Sequence, residues 1–497
     1  MTAALDLEKY RSEAEAFCEA LDREYYLHLA GHKRELEVEP IYQLHGELFS
    51  RGAVEELRRL ADSAQGEGRR RTAYLLEFAV HGHLGLATSS YEARLAELEV
   101  GLEVGLDGER VPFRMAPVKQ ANEADADRRA ALSDARDALV TVHLNPVYVE
   151  ALERTHELAR SLGWSSYRDM CAQLRGMDLG ALAAQTRAFL EATAATYPQL
   201  LNSELEAAEL PALGELRRSD LPRLFRAPEL DRVFPDDRLI SSFEASLAGM
   251  GIDLAAQENV HLDTESRPTK SARAFCAPAR VPEEVYLVIS PVGGHDDYEA
   301  LFHEGGHVEH YAHTDPGLEF EYRRLGDNSV TESFAFLIEG MTSQPAWLES
   351  RLGAADPERI ARHTRAVRLV FLRRYAAKLE YELELHSGNA GLDAMPARYS
   401  ELLGDATAVP WPRANWLADV DSAFYVACYL RAWALEAIWR RALTERFGES
   451  WFAEPAAGEW LRGIWRNGQR LRADELLAET LGEELDFTAL AAEFVSG

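Results

Sequence analysis

Histidines at 303 and 307, with a glutamate at 304, sit inside the stretch ALFHEGGHVEHYAH, residues 300–313. On a helix, residues four apart are separated by about 40°, so both imidazoles reach one tetrahedral ion at bond lengths of ~2.0–2.1 Å. In an H-E-x-x-H arrangement the glutamate stands beside the metal, where its carboxylate takes a proton from water that the metal activates. The chemistry this spacing suits is hydrolysis, with His303 and His307 as ligands and Glu304 as general base. Gly305 and Gly306 follow, although each glycine costs a helix about 1 kcal/mol relative to alanine. Their presence predicts close approach by another element or by a substrate. A merely solvated histidine-rich helix would be polar all round, whereas apolar residues run directly into this motif.

A catalytic zinc needs a third protein ligand and an open fourth position. His313 stands ten residues after His303, where metzincins carry their third histidine, but their pattern requires a glycine at the eighth place and His310 occupies it here. Along a continuing helix His313 points about 80° away from His303. His310, at i+7, shares the ligand face and reads as a neighbouring polar group. The rival third ligand is Glu332 in NSVTESFAFLIEGM, 29 residues after His303, far enough for one helix, a loop and the start of a second helix. Glu332 completes a His2Glu set of the gluzincin kind. Glu339, two turns further on, is placed to bond a ligand imidazole from behind.

The elements that must position these groups are mostly helices. Residues 5–90 show apolar positions recurring at three and four, and helical texture resumes from about 128 to 208. Between them, alternation around Asp107-Gly108 in residues 98–118 predicts a β-hairpin. Four prolines in residues 209–237 break the pattern, and the expected lobes are 1–208, helical with the hairpin, and 209–497, catalytic. Residues 260–291 read as two or three short strands ended by PVGG. Asp296 and Asp297 are expected to cap the motif helix, and Asn328 or Ser329 the helix that follows.

The chain has 497 residues, with 53 basic against 83 acidic, a formal charge of −30 and no concentrated basic patch, so nucleic acid is excluded as a partner. Its four cysteines are far apart, giving neither a disulfide framework nor a thiolate metal site. No stretch approaches ~18 uncharged apolar residues and the first residues lack signal-peptide character, so no membrane association and a cytoplasmic location are expected.

RPTKSARAFC, VYLVISP, HDDYEALFHEGGHVEH, TESFAFLIEG with its second glutamate seven residues past the first, and FYVACYLRAW together resemble the zinc metallopeptidases of the thimet oligopeptidase and oligoendopeptidase F family. The recognisable motifs span roughly residues 215–445. The resemblance implies a mainly α, two-lobed helical metallopeptidase with a small β-sheet beside a deep active-site channel, and one Zn2+ per chain on His303, His307 and Glu332. It implies Tyr425, with Tyr429 second, as donors to the oxyanion of the tetrahedral intermediate. It also implies that oligopeptides bind by strand addition along residues 271–279, with Ala274, Phe275 and Cys276 in contact. Two departures stand out: no histidine precedes the tyrosine-rich segment, where Asp419 and Asp421 lie instead, and Ala432 replaces a tyrosine before Trp433. The activity implied is a zinc endopeptidase acting on short unstructured oligopeptides. The alternatives are a metallocarboxypeptidase gripping a terminal carboxylate through Arg280 or Arg431, and a zinc-bearing peptide binder that has lost turnover.

Overall fold

The computed structural model describes residues 5–389 and 391–495. The chain is mainly helical with two small sheets. It forms two compact units, each assembled from separated segments. The first comprises Met1–Gly82, Leu230–Ala361 and Arg431–Leu490, and the second His83–Glu229, Arg362–Leu430 and Ala491–Gly497. Three helices run unbroken from one unit into the other: Gly66–Gly101, Pro357–Leu385 and Tyr425–Phe447.

In the second unit, β1 (Glu103–Leu106) and β2 (Glu109–Pro112) form the expected hairpin, antiparallel with Leu106 opposite Glu109. Its two-residue turn has φ of 51° at Asp107 and 83° at Gly108, the left-handed pair that matches the twist of a tight hairpin. Val104, Leu106 and Val111 bury against Leu132 and Val140, so the alternation seen in the sequence is the alternation of buried and exposed faces.

In the first unit, β3 (Val260–Asp263), β4 (Phe275–Arg280) and β5 (Glu284–Val288) form a sheet in the order β3-β5-β4. β5 pairs parallel with β3 and antiparallel with β4. Central β5 buries Val285, Leu287 and Val288. β4 is an edge strand whose register shifts between Ala277 and Arg280, where Pro278 has no N–H to give a ladder. After β5 the chain turns through Gly293 and Gly294, both at positive φ, and a Cβ on Gly293 would fall 2.8 Å from the backbone nitrogen of Asp236. The turn launches helix His295–Ala312, which carries the motif, and Asn328–Glu339 packs beside it.

The capping expectations need correction. Gly294 is the N-cap of the motif helix, and Asp297 instead reaches back to accept from the N–H groups of Val292 and Gly293. Asp327, one residue earlier than expected, caps the second helix through Ser329 N–H. The four cysteines are free, as expected. No described helix is long and apolar enough to cross a membrane.

Candidate metal centre

Two helices in the first unit supply the site. The motif helix buries Tyr298, Leu301, Phe302, Gly305 and Gly306 and leaves His303 and His307 on its partly open side. Phe302 packs edge-on against Phe243 and Trp347, both 5.2 Å away between ring centroids. The two glycines meet protein on both faces. A Cβ on Gly306 would lie 2.6 Å from Ala335 Cα, and one on Gly305 would lie 2.4 Å from the Phe243 ring. Only a chain without side chains here lets Asn328–Glu339 come close enough to bring Glu332 to the histidines.

His303 Nε2 stands 3.5 Å from Glu332 Oε2, and His307 Nε2 stands 3.6 Å from the same oxygen. Both separations exceed ordinary hydrogen bonds. They match the roughly 3.4 Å between two ligand atoms across a tetrahedral ion with bonds of ~2.0–2.1 Å. Ligand atoms of the three residues lie within 4.8 Å of one another, a borderline donor set that suits one Zn2+. The far sides of both rings are occupied: His303 Nδ1 bonds Glu339 Oε2 at 2.7 Å, and His307 Nδ1 bonds Thr331 Oγ1 at 2.8 Å. Glu339 thus stands where the sequence suggested. Thr331 went unread, although its place next to Glu332 was the available signal.

His303 is further held by an edge contact with Phe336, which stacks on Trp433 at 4.9 Å. Burial works against a charged ring, but the carboxylates of Glu332 and Glu339 outweigh it and hold His303 well above the ordinary histidine value. Burial also works against an ionised Glu332, and His307 and His303 outweigh that and hold it well below the usual carboxylate range.

Glu304 turns towards the sheet, where its Oε2 accepts from Cys276 N–H at 2.8 Å. That donor is available because β4 pairs only with β5 on its other edge among the described residues. Phe275 and Cys276 lie within β4, whereas Ala274 precedes it, so the strand starts later than the stretch 271–279 suggested.

The other histidines of the motif have separate lives. His310 is fully buried and bonds Gly468 O at 3.2 Å, and burial pushes it down to about 3, which keeps the ring neutral. His313 caps the helix C-terminus, its Nδ1 donating to Glu309 O at 3.0 Å. Arg431 is committed to Asp474 at 2.5 Å and Asp327 at 3.4 Å, while Arg280 is half-exposed at the end of β4.

Tyr425 and Tyr429 belong to the second unit, half-buried, with ring centroids 4.9 Å apart. Tyr429 also meets Tyr375 edge-on at 5.7 Å. Ahead of them Ala423 and Phe424 both hold positive φ. The Tyr167 hydroxyl accepts from Ala423 N–H at 2.9 Å, and Arg175 donates to Ala423 O at 2.8 Å. Asp421 pairs with buried Lys378 at 2.8 Å, and Asp419 accepts from Tyr399 at 2.7 Å, so both acids of the departed-histidine segment are structural partners.

No protein-family model matches the sequence, and no curated protein matches it. Among solved structures, that of a "putative oligoendopeptidase F" from Bacillus anthracis str. Ames superposes with a TM-score of 0.67 at 12% identity, covering 100% of this chain and 96% of that one. At such identity the likeness is one of fold, a mainly helical architecture shared over the whole chain.

Proposed function

We propose that the protein is a zinc-dependent peptidase that cuts short, unstructured oligopeptides at internal bonds. The observation that carries the reading is the convergence of His303, His307 and Glu332, whose ligand atoms lie within 4.8 Å of one another, with Glu332 Oε2 at 3.5 and 3.6 Å from the two imidazoles. The fold it shares with a protein described as an oligoendopeptidase F supports the same class of substrate.

A zinc ion held there would supply Lewis acidity, polarising the scissile carbonyl and lowering the pKa of water. The chain's own groups do the rest. Glu304 accepts the proton of the attacking water and passes it to the leaving nitrogen. One of its oxygens is engaged by Cys276 N–H, which fixes the carboxylate and leaves the other oxygen for the proton. An extended peptide would add along Ala274 and the start of β4 at Phe275 and Cys276, a mode that selects for unfolded chains and weakly for sequence. The resemblance assigns Tyr425, or else Tyr429, the task of donating to the developing oxyanion.

The test is to incubate the protein with peptides of about five to fifteen residues and follow them by mass spectrometry, beside Glu304→Gln. Internal cleavage by the wild type, with about 10²-fold or greater loss in a variant that still takes one zinc, is the expected result. Release of single C-terminal residues would replace this reading with the carboxypeptidase, for which the half-exposed Arg280, 3.9 Å from Glu284, is the candidate cation. Tight binding with every peptide recovered intact would replace it with the peptide binder.

A further inference from the structure

Behind the two ligand histidines stand chemically different partners. His303 is backed by a carboxylate, Glu339, and His307 by a neutral hydroxyl, Thr331. Thr331 is buried, one residue before Glu332, on the helix that Gly306 allows to approach. Tyr311 lies one turn past His307 on the motif helix, its ring stacked on that of His307 at 6.5 Å between centroids.

A threonine hydroxyl has a single proton and two lone pairs. Its oxygen can therefore accept from His307 Nδ1–H across the 2.8 Å that separates them. The proton is thereby kept on Nδ1, and Nε2, the nitrogen that faces Glu332, keeps its lone pair. A neutral imidazole without such a partner divides itself between two tautomers, one of which cannot bind a metal through Nε2.

We propose that Thr331 is a positioning residue for the metal site: its hydroxyl oxygen accepts from Nδ1–H and holds His307 in the tautomer and orientation able to ligate through Nε2. This rests on the His303, His307 and Glu332 reading above. It gives Thr331 a role through His307 alone, without contact with substrate.

The test measures zinc itself. Zinc affinity of the metal-free full chain is read by competition with a chromophoric chelator for the wild type, Thr331→Val, Thr331→Ser and Tyr311→Phe. Thr331→Val keeps the shape and removes the hydroxyl, and is expected to weaken zinc about 10- to 100-fold, the usual effect of deleting a partner behind a ligand. Thr331→Ser restores the hydroxyl and should return affinity to within about threefold of the wild type. Tyr311→Phe leaves the bond between Thr331 and His307 in place and should stay within about threefold of the wild type. ¹⁵N chemical shifts of His307 in the metal-free protein report the tautomer directly, and a mixture is expected in Thr331→Val only.

Zinc affinity in Thr331→Val within about twofold of the wild type, or equal losses in the valine and serine variants, would overturn the proposal. Should Thr331→Val lose its fold, shown by circular dichroism, the smaller Thr331→Ala, read against Thr331→Ser, decides in its place. A wild type that takes no zinc would instead strike down the metal reading itself, which separates the two failures.

Discussion

His303 and Glu332 are pushed in opposite directions against burial, the imidazole by the carboxylates of Glu332 and Glu339 and the carboxylate by His307 and His303. In the metal-free site a proton on His303 does part of the work of the cation, neutralising Glu332 and Glu339 from within. A zinc ion taken up there would have to displace that proton, so its binding would be a competition whose sign is fixed: affinity falls as pH falls, by about tenfold per unit while one proton is exchanged. The window lies below the raised value of His303 and therefore extends above the ordinary histidine range. Calorimetry at neutral pH in buffers of different ionisation enthalpy should show release of about one proton per zinc bound; no release would mean the ring is already neutral. At this scale the sequence was most legible where one helix sets the geometry, as with His303, Glu304 and His307, because i,i+4 spacing leaves no freedom. Glu339 was legible for the same reason once Glu332 was chosen. Thr331 and the Cys276 N–H were not, since each acquires its partner from an element far away in the chain.

The pairing of helices His295–Ala312 and Asn328–Glu339 depends on one missing side chain. Gly306→Ala would drive a Cβ into backbone at 2.6 Å, where no rotamer can yield. The helices must part, with an expected cost of about 1–3 kcal/mol in urea unfolding, typical of overpacking. The same variant should lose most zinc affinity, because Glu332 moves away from the histidines. Unchanged stability and affinity would show that the crossing does not set the ligand geometry. Close approach was readable from the pair of glycines; what approaches, Phe243 on one side and Ala335 on the other, was not. The hairpin was readable because Asp107-Gly108 tolerates two positive φ values in succession. By contrast, the parallel pairing of β3 with β5 joins strands more than twenty residues apart, and no local pattern encodes that choice.

Across the whole molecule, burial leaves some groups poised near neutrality far from the metal. Glu382, fully buried in the second unit, is pushed up to about 8 by burial and by nearby Asp421, against the pull of Lys378. Its ordinary value is 4.5, so between about pH 4.5 and 8 the folded state keeps a proton that the unfolded chain has lost. Stability from this group is therefore full below about 4.5 and declines as pH rises towards 8. Glu382→Gln should flatten that decline in denaturant midpoints measured from pH 5 to 8, and a decline as steep as in the wild type would assign it elsewhere. Composition and periodicity sufficed for a mainly helical chain, yet a linear pass for breaks cannot register units made of interleaved segments. That interleaving reaches back to the moment of synthesis. The first unit needs residues as far along as Leu490, and the second needs Arg362–Leu430 before its early helices have their partners. On the ribosome the first 82 residues meet part of their unit only when Leu230–Ala361 emerges, and the rest only after some 350 residues beyond Gly82 have been made and Arg431–Leu490 arrives, at roughly 5–20 residues per second. A nascent chain released early should therefore be protease-sensitive throughout and dependent on chaperones until nearly the last helix is made.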